Sequence, residues 1–334
     1  MKKVNLLFTG GFDSTFRLCQ LSRMEDVEVQ PIYFSFPYLT GIQGRPNRDK
    51  EIAAQNAVIA ALRQKPETKA TILDPIRVQE SELPSDPAYD KAFLQWKPTK
   101  RIPGQYRMLG KLALLYPNLE VGREGPTLRN RQRGWKIGKT RKFLTENGVK
   151  FTDRPDGSVI LSFKNAKPGL EMLFGRYKYP ILGIPETSMV PYIKEWGYED
   201  VFKLTWTCDF GNDEPCGVCH NCETKWDSGL LNFFAPHAVR NHEIKKFLEK
   251  LKEKEGLSPV ELMGKDQLPE AFVRYVKDNY HFDPMEGVLE QPMAIQEINY
   301  KFKKLRNANT QKYFDQLIHA WDNGEKEKYI ASLY

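Results

Sequence analysis

The chain has 334 residues, of which 40% are hydrophobic and 28% are charged, as in an ordinary folded protein. No apolar run approaches the roughly 18 residues of a membrane-spanning helix, and the apolar run at the N-terminus is too short for a signal peptide. We therefore expect a cytoplasmic protein with no membrane partner. The net charge of +7 is modest for this length, so it allows an anionic partner such as a nucleic acid without requiring one.

The first predicted elements are a strand, a tight turn and a helix. The apolar run from Val4 to Phe8 is typical of a strand, and the turn and helix start follow as Thr9-Gly10-Gly11-Phe12-Asp13-Ser14-Thr15. We name residues 9–15 the glycine loop. Glycines let a backbone approach an anion closely, and the first amides of a helix lie at the positive end of its dipole. The pattern predicts a phosphate site, although an ordinary turn between strand and helix is the alternative.

Strands and helices then alternate, which predicts a parallel sheet with right-handed crossovers. The predicted strands are 27–34, 70–73, 119–122 and 159–163, and the predicted helices are 49–62, 105–115 and 188–196. Residues 179–184 are predicted to be a further strand or extended run, and the polar segment 80–100 a surface excursion. Ligands of such sheets bind beyond the carboxyl ends of the strands, where the glycine loop lies.

The most basic segment follows the strand at 119–122. It contains eight cations within 20 residues: Arg123, Arg129, Arg131, Arg133, Lys136, Lys139, Arg141 and Lys142. The four arginines from Arg123 to Arg133 are candidate substrate-binding residues. The alternative is a solvated loop whose cations offset acidic helices elsewhere.

Four of the five cysteines lie within 15 residues, as Cys208-x7-Cys216-Gly-Val-Cys219-His-Asn-Cys222. Two overlapping C-x-x-C knuckles can place four thiolates around one metal, and in a cytosolic chain such clustering favours metal over disulfides. Four thiolates hold zinc in a closed structural site, and an iron–sulfur cluster is the alternative. The fifth, Cys19, lies on the apolar face of the first helix and is predicted to be a core residue.

Beyond about residue 230 the sequence becomes helical and charged. We therefore divide the chain into a domain over 1–230, which includes the zinc loop at 205–225, and a helical C-terminal extension over 231–334. The extension could form a homodimer face, a dock for a partner or a cap on the sheet, and the sequence does not choose among these.

Together these features resemble a known family. The glycine loop resembles the SGGxDS loop of the PP-loop ATP pyrophosphatases, with Thr9 in place of the first serine. Combined with Thr205-Trp206-Thr207-Cys208 and the knuckles that follow, it resembles the 7-cyano-7-deazaguanine synthases, the QueC family. Ile102-Pro103-Gly104 and the helix Met189–Gly197 are similar to further family segments. The resemblance covers roughly residues 1–230.

This resemblance implies a Rossmann-like α/β fold of the adenine nucleotide alpha hydrolase type, with ATP, Mg²⁺ and one structural Zn²⁺. It implies ATP-dependent activation of the carboxylate of 7-carboxy-7-deazaguanine, followed by conversion to an amide and then a nitrile with ammonia as amine donor. Asp13 would position the metal, and phosphate oxygens would be held by Thr9, Gly10, Gly11, Ser14 and Thr15. Cys208, Cys216, Cys219 and Cys222 would hold the zinc.

The chain departs from the family at the substrate pocket. Gln105-Tyr106 stands where the family has Arg-Asn, and the segment that holds the deazaguanine is replaced by the arginine-rich stretch. Three alternatives therefore stay open. The activated deazaguanine could pass to an amine of a protein partner, as in an antiviral defence system; the chain could be a PP-loop enzyme that modifies tRNA; or it could be a non-catalytic, zinc-stabilised binding module.

Overall fold

The computed structural model describes residues 1–34, 47–96, 105–123, 125, 138–208, 215–217, 219–227, 238–239, 242 and 246. Arg129, Arg131, Arg133 and the segment 102–104 lie outside the described residues, so their predicted roles stay predictions. Two compact units are distinguished along the chain: residues 1–207 with 227–230, and residues 208–226 with 231–334. The predicted division at residue 230 stays a prediction.

A parallel sheet forms the centre of the first unit, as the sequence predicts. Its strands are β1 (Lys2–Leu7), β2 (Val27–Phe34), β3 (Thr71–Ile72), β4 (Ile76–Val78) and β5 (Glu120–Val121). The order is β3-β2-β1-β5, and β4 also pairs with β2. All of these pairings are parallel, and β1 lies between β2 and β5, with Leu7 opposite both Ile32 and Val121. This α/β arrangement is compatible with a Rossmann-like fold.

Helices connect and cover these strands in the first unit. They are α1 (Phe12–Ser22), α2 (Arg48–Gln64), α3 (Pro87–Trp96), α4 (Tyr106–Leu115), α5 (Lys139–Glu146), α6 (Leu170–Phe174), α7 (Glu186–Glu195) and α8 (Glu199–Lys203). Phe16, Leu18 and Cys19 of helix α1 are fully buried, so the prediction that Cys19 is a core residue is confirmed. Among the described residues, the structure has no helix long and apolar enough to cross a lipid bilayer.

The sequence predicts the segment 80–100 to be a surface excursion, and this prediction is wrong, because residues of helix α3 lie in the core. Its residues Tyr89, Ala92, Phe93 and Trp96 are buried, and their spacing places them on one face of a helix. Polar and proline residues surround these few apolar positions, so their helical spacing is difficult to detect in the sequence. The ring of Tyr89 fills the space above Gly110 in α4, and its hydroxyl accepts a hydrogen bond from the Gly110 amide.

A hairpin of β6 (Lys150–Asp153) and β7 (Val159–Ser162) is antiparallel, and it confirms the strand predicted at 159–163. The predicted run at 179–184 is not a continuous strand. Instead, Lys178 makes an isolated parallel bridge with Glu120, and Tyr179 makes an antiparallel bridge with Val159. These two bridges attach the hairpin to the β5 edge of the sheet.

Candidate functional site

The glycine loop directly follows β1 and leads into α1, at the carboxyl end of the central strand of the sheet. Gly10 adopts a φ of +72°, which side chains rarely tolerate. A Cβ at Gly10 would lie 2.9 Å from the Glu51 carbonyl oxygen and 3.0 Å from the Gln55 amide nitrogen. The loop therefore packs against the backbone of α2, and both its conformation and its neighbours require glycine at position 10.

Polar groups converge where α1 begins. The Gly11 amide donates a hydrogen bond to the Thr9 Oγ1 atom at 3.4 Å, and the Ser14 hydroxyl donates to the Gly11 carbonyl at 3.2 Å. The Thr9 and Ser14 hydroxyl oxygens are 3.4 Å apart. Gly11 is the N-cap of α1, and no side chain caps this helix end. The arrangement leaves hydroxyls and helix amides at the positive end of the α1 dipole, which suits an anion.

The loop residues differ in their access to solvent. Thr9, Gly11 and Asp13 are partly exposed, whereas Gly10, Ser14 and Thr15 are buried. The Thr15 hydroxyl has no hydrogen-bond partner among the described residues, and neither has the side-chain amide of the buried Gln55 on α2. Buried polar groups are usually satisfied, so these two stand out beside the glycine loop.

Two segments that are distant in the sequence complete the surroundings of the glycine loop. Gly122, just after β5, would place a Cβ 2.9 Å from the Ser14 Cα atom, so this backbone lies against the first turn of α1. The Trp206 amide donates a hydrogen bond of 2.9 Å to the Gly10 carbonyl. The Lys50 amino group lies 6.0 Å from the centre of the Trp206 ring. Strands β1 and β5 and the segment 205–207 therefore meet here.

In the second unit, the four clustered cysteines come together as their spacing predicts. Their sulfurs all lie within 4.8 Å of one another, and all four residues are buried. The Cys216–Cys222 and Cys208–Cys219 sulfur distances are both 4.0 Å. Backbone amides donate to three of the sulfurs: Cys216 to Cys208, Cys219 to Cys216, and Cys222 to Cys219. The four cysteines are therefore close enough to hold one metal ion.

The electrostatics of the cluster favour ionisation at one sulfur. Hydrogen bonds from the neighbouring thiols hold the pKa of Cys208 well below its ordinary value. The pKa values of Cys216 and Cys222 are raised, chiefly because hydrogen bonds between their thiols and the neighbouring sulfurs, that of Cys208 first, favour the protonated form. A bound cation would favour the ionised form instead, since metals bind cysteine as thiolate.

His242 contacts the loop between Cys216 and Cys219. His242 is buried, its Nδ1 atom lies 3.2 Å from the Gly217 carbonyl oxygen, and its ring stacks on Trp226 with the ring centres 3.8 Å apart. Gly217, inside the knuckle, has a φ of +78°, and a Cβ there would lie 2.0 Å from the Ala238 carbonyl oxygen. Position 217 is therefore restricted to glycine. His242 is therefore a buried residue whose ring nitrogen is paired with the Gly217 carbonyl.

The described members of the basic segment make contacts within the protein. The Arg123 guanidinium donates a 2.6 Å hydrogen bond to the Tyr106 hydroxyl. Arg141 donates two hydrogen bonds to Asp153, of 2.7 and 2.6 Å, and Lys142 lies 4.0 Å from Glu146. These contacts hold α5 and the end of β5 in place. The predicted role of Arg123 in substrate binding stays a prediction.

The Arg141–Asp153 pair predicts a dependence of stability on pH. The Arg141 hydrogen bonds hold the pKa of Asp153 below its ordinary value. A lowered carboxyl pKa stabilises the fold above the unfolded-state value of about 3.9, and this contribution is lost as the pH falls through the folded-state pKa. We expect Asp153→Asn to destabilise the protein at pH 7 by about 0.2–1 kcal/mol, as for other exposed ion pairs.

Urea unfolding between pH 7 and pH 3 would measure this effect. The difference between wild type and Asp153→Asn should shrink as the pH falls below about 4. Glu195→Gln is the matched control, because Glu195 is exposed on α7 and forms no ion pair among the residues that the structure describes. A difference at pH 7 that persists unchanged at pH 3 would contradict the assignment.

Comparison with known proteins adds no family: neither a protein-family model nor a curated protein matches the chain.

Proposed function

We propose that the glycine loop binds ATP and that the protein uses it to activate the carboxylate of a 7-deazaguanine, such as 7-carboxy-7-deazaguanine. The observation that carries the proposal is the convergence of the Thr9 and Ser14 hydroxyls and the Gly11 amide at the start of α1. This convergence lies at the carboxyl end of a central parallel strand, the usual ligand position in open α/β sheets. The choice of a deazaguanine comes from the family resemblance.

The residues of the glycine loop fit the needs of a triphosphate. Thr9, Ser14 and the loop amides are the donors for its phosphate oxygens, and Gly10 keeps the backbone close to them. Asp13, in the first turn of α1, is partly exposed and carries the carboxylate that a magnesium ion prefers. When bound, Mg²⁺ neutralises phosphate charge and stabilises the pyrophosphate leaving group.

The proposed reaction has two activation steps. A carboxylate oxygen attacks the α-phosphorus of ATP, the bond to the bridging oxygen breaks, and pyrophosphate leaves with the electron pair. Ammonia then attacks the activated carbonyl, AMP leaves, and a nitrogen proton passes to solvent, which gives the primary amide. The amide oxygen next attacks the α-phosphorus of a second ATP, and pyrophosphate leaves again. Departure of this oxygen with AMP and loss of the two N–H protons give the nitrile. In both activation steps the glycine loop stabilises the negative charge that develops on the leaving pyrophosphate.

We further propose that zinc occupies the four-cysteine cluster in a structural role. Tetrahedral zinc with Zn–S bonds of about 2.3 Å separates its sulfurs by about 3.8 Å. The two sulfur pairs at 4.0 Å are close to this value. An iron–sulfur cluster binds its cysteines through different iron atoms and so needs wider separations. Four protein ligands leave no open position on zinc, so no chemistry is assigned to it.

The burial of Cys19 argues against a sulfur-transferring enzyme that modifies tRNA. Such chemistry needs a reactive thiol besides the metal ligands, and Cys19 is the one cysteine of this chain outside the cluster. It is fully buried in the core, and desolvation, with the Asp200 charge, raises the pKa of its thiol well above the usual value. A buried thiol that stays protonated is a poor nucleophile.

Incubation with ATP, Mg²⁺ and 7-carboxy-7-deazaguanine, with and without ammonia, tests the proposal. We expect pyrophosphate release that depends on the deazaguanine, and mass spectrometry should detect the amide or nitrile when ammonia is present. Asp13→Asn should abolish pyrophosphate release. Asp49→Asn is the matched control, because Asp49 is exposed in the first turn of α2, and it should leave the rate unchanged.

The other outcomes separate the alternatives. A deazaguanine adduct on a co-expressed protein would show that a protein amine, and not ammonia, accepts the activated acyl group. The proposed activation by ATP would be retained. Absence of both ATP binding and pyrophosphate release would overturn the proposal and favour a non-catalytic binding module.

A further inference from the structure

Arg123 lies at the same edge of the sheet as the glycine loop. Strand β5 pairs with β1, with Val121 opposite Leu7, so both strands end at this edge. A Cβ at Gly122 would lie 2.9 Å from the Ser14 Cα atom, and Arg123 is the next residue. Its side chain is partly exposed. A guanidinium group is therefore attached to the backbone that borders the glycine loop.

Successive residues of this segment meet different helices. Glu120 accepts two hydrogen bonds from Arg17 of α1, of 2.8 and 3.2 Å, and Gly122 lies against α1 as well. Arg123 instead reaches Tyr106 at the start of α4. This alternation is usual for extended backbone. The Arg123 guanidinium is therefore separate from the α1 residues that the proposed function assigns to phosphate.

Tyr106 holds the Arg123 guanidinium in a defined position. Its hydroxyl accepts a hydrogen bond of 2.6 Å from Nη1, and the guanidinium carbon lies 5.8 Å from the centre of its ring. The tyrosine is itself fixed by packing: it is 1% exposed, and its ring centre lies 4.7 Å from that of Phe174 and 6.5 Å from that of Tyr177. Because a free arginine side chain has many rotamers, this contact reduces the entropy that is lost when the guanidinium binds a ligand.

The Tyr106 hydroxyl is used differently from those of two neighbouring tyrosines. The hydroxyls of Tyr177 and Tyr179 donate to backbone carbonyls of the same segment. Within the described ranges, the Tyr106 hydroxyl makes its one hydrogen bond with Arg123. Buried polar groups are retained where they have a partner, and here that partner is a partly exposed arginine. The orientation of Arg123 is therefore what this hydroxyl determines.

We propose that Tyr106 is a positioning residue whose hydroxyl orients the Arg123 guanidinium for the carboxylate of the substrate. The inference rests on the proposed function and adds to it the group that recognises the charge of the substrate. A guanidinium binds a carboxylate through two parallel N–H···O bonds, so the strength of this contact depends on orientation. The carboxylate that attacks ATP must lie beside the glycine loop, and Arg123 follows the backbone that borders this loop.

Calorimetry with 7-carboxy-7-deazaguanine and with its neutral carboxamide tests this role. The full chain is first saturated with Mg²⁺ and an ATP analogue that has a methylene group between its α- and β-phosphates, so that no turnover occurs. We expect wild type to bind the carboxylate at least about tenfold more tightly than the carboxamide. Tyr106→Phe should bind the carboxylate about three- to tenfold more weakly, and its carboxamide affinity should not change, because the ring and its packing are retained.

A double-mutant cycle shows whether Tyr106 acts through Arg123. Arg123→Gln should bind the two ligands equally, and adding Tyr106→Phe to it should have no further effect on either affinity. Tyr177→Phe is the matched control, because the Tyr177 hydroxyl also belongs to a buried residue but donates to the Leu173 carbonyl. This control should bind both ligands as wild type does.

The outcomes separate this inference from the proposed function. An equal loss of affinity for carboxylate and carboxamide in Tyr106→Phe would overturn the positioning role, and so would an unchanged carboxylate affinity. Neither result would affect the proposed activation of the deazaguanine by ATP. A wild-type protein that binds the ATP analogue but neither deazaguanine would instead overturn the choice of substrate, and the inference would fail with it.

Discussion

Replacing Gly10 with alanine should destabilise the first unit by about 2–6 kcal/mol and eliminate ATP binding. About 1–3 kcal/mol comes from holding a side chain at a φ of +72°, and about 1–3 kcal/mol from overpacking. Overpacking is severe here because the new Cβ would meet the α2 backbone at 2.9 Å, and a backbone cannot rotate away as a side chain can. Chemical unfolding measures the stability, and calorimetry with ATP and Mg²⁺ measures the affinity.

Gly197→Ala separates these two causes. Gly197 ends the last turn after α7 with a φ of +68°, but no atom lies within 4 Å of its Cβ position. This variant should therefore lose only the contribution of backbone strain, about 1–3 kcal/mol, and keep its affinity for ATP. If Gly10→Ala and Gly197→Ala were equally stable and bound ATP equally well, the glycine loop would not be the nucleotide site.

Replacing Cys219 with serine should lower the metal content from about one zinc per chain to near zero. The sulfurs of the cluster lie within 4.8 Å of one another, so losing one thiolate leaves three ligands and an incomplete shell. Structural zinc contributes roughly 10–16 kcal/mol of apparent binding free energy in small zinc domains. We therefore expect the knuckle to unfold, which elemental analysis and hydrogen exchange over residues 215–227 would show.

Cys19→Ala is the control for this experiment. It also removes one buried thiol, but from α1 in the core of the first unit. The metal content should stay at about one per chain, and hydrogen exchange at the knuckle should not change. Its ATP-dependent activity should also be retained, since no sulfur relay is proposed. A wild-type protein that is well folded without metal would contradict the structural role of zinc.

Local sequence patterns predicted a large part of the fold. The strand at 27–34 has its predicted bounds, and the glycine loop joins a strand to a helix as its residues indicate. The cysteine spacing predicted the cluster because ligands within 15 residues of one another can meet without distant contacts. In each case the information lies in a short segment, whose backbone geometry follows from residue type and spacing.

The features that the sequence could not predict depend on contacts between distant residues. Trp206 bonds to Gly10, and Gly122 lies against Ser14, across separations of more than 100 residues. Helix α3 was missed for another reason, since its apolar stripe is only two turns long and lies among polar residues.

The contact between Tyr89 and Gly110 restricts how this protein can change during evolution. A Cβ at position 110 would lie 2.1 Å from the Tyr89 ring, so the two positions cannot be altered independently. A larger residue at 110 requires a smaller one at 89, and the shorter side chain would lose the hydrogen bond that the Tyr89 hydroxyl accepts from the Gly110 amide. In an alignment of relatives, positions 89 and 110 should therefore change as a pair, and Tyr–Gly should be one of few combinations found.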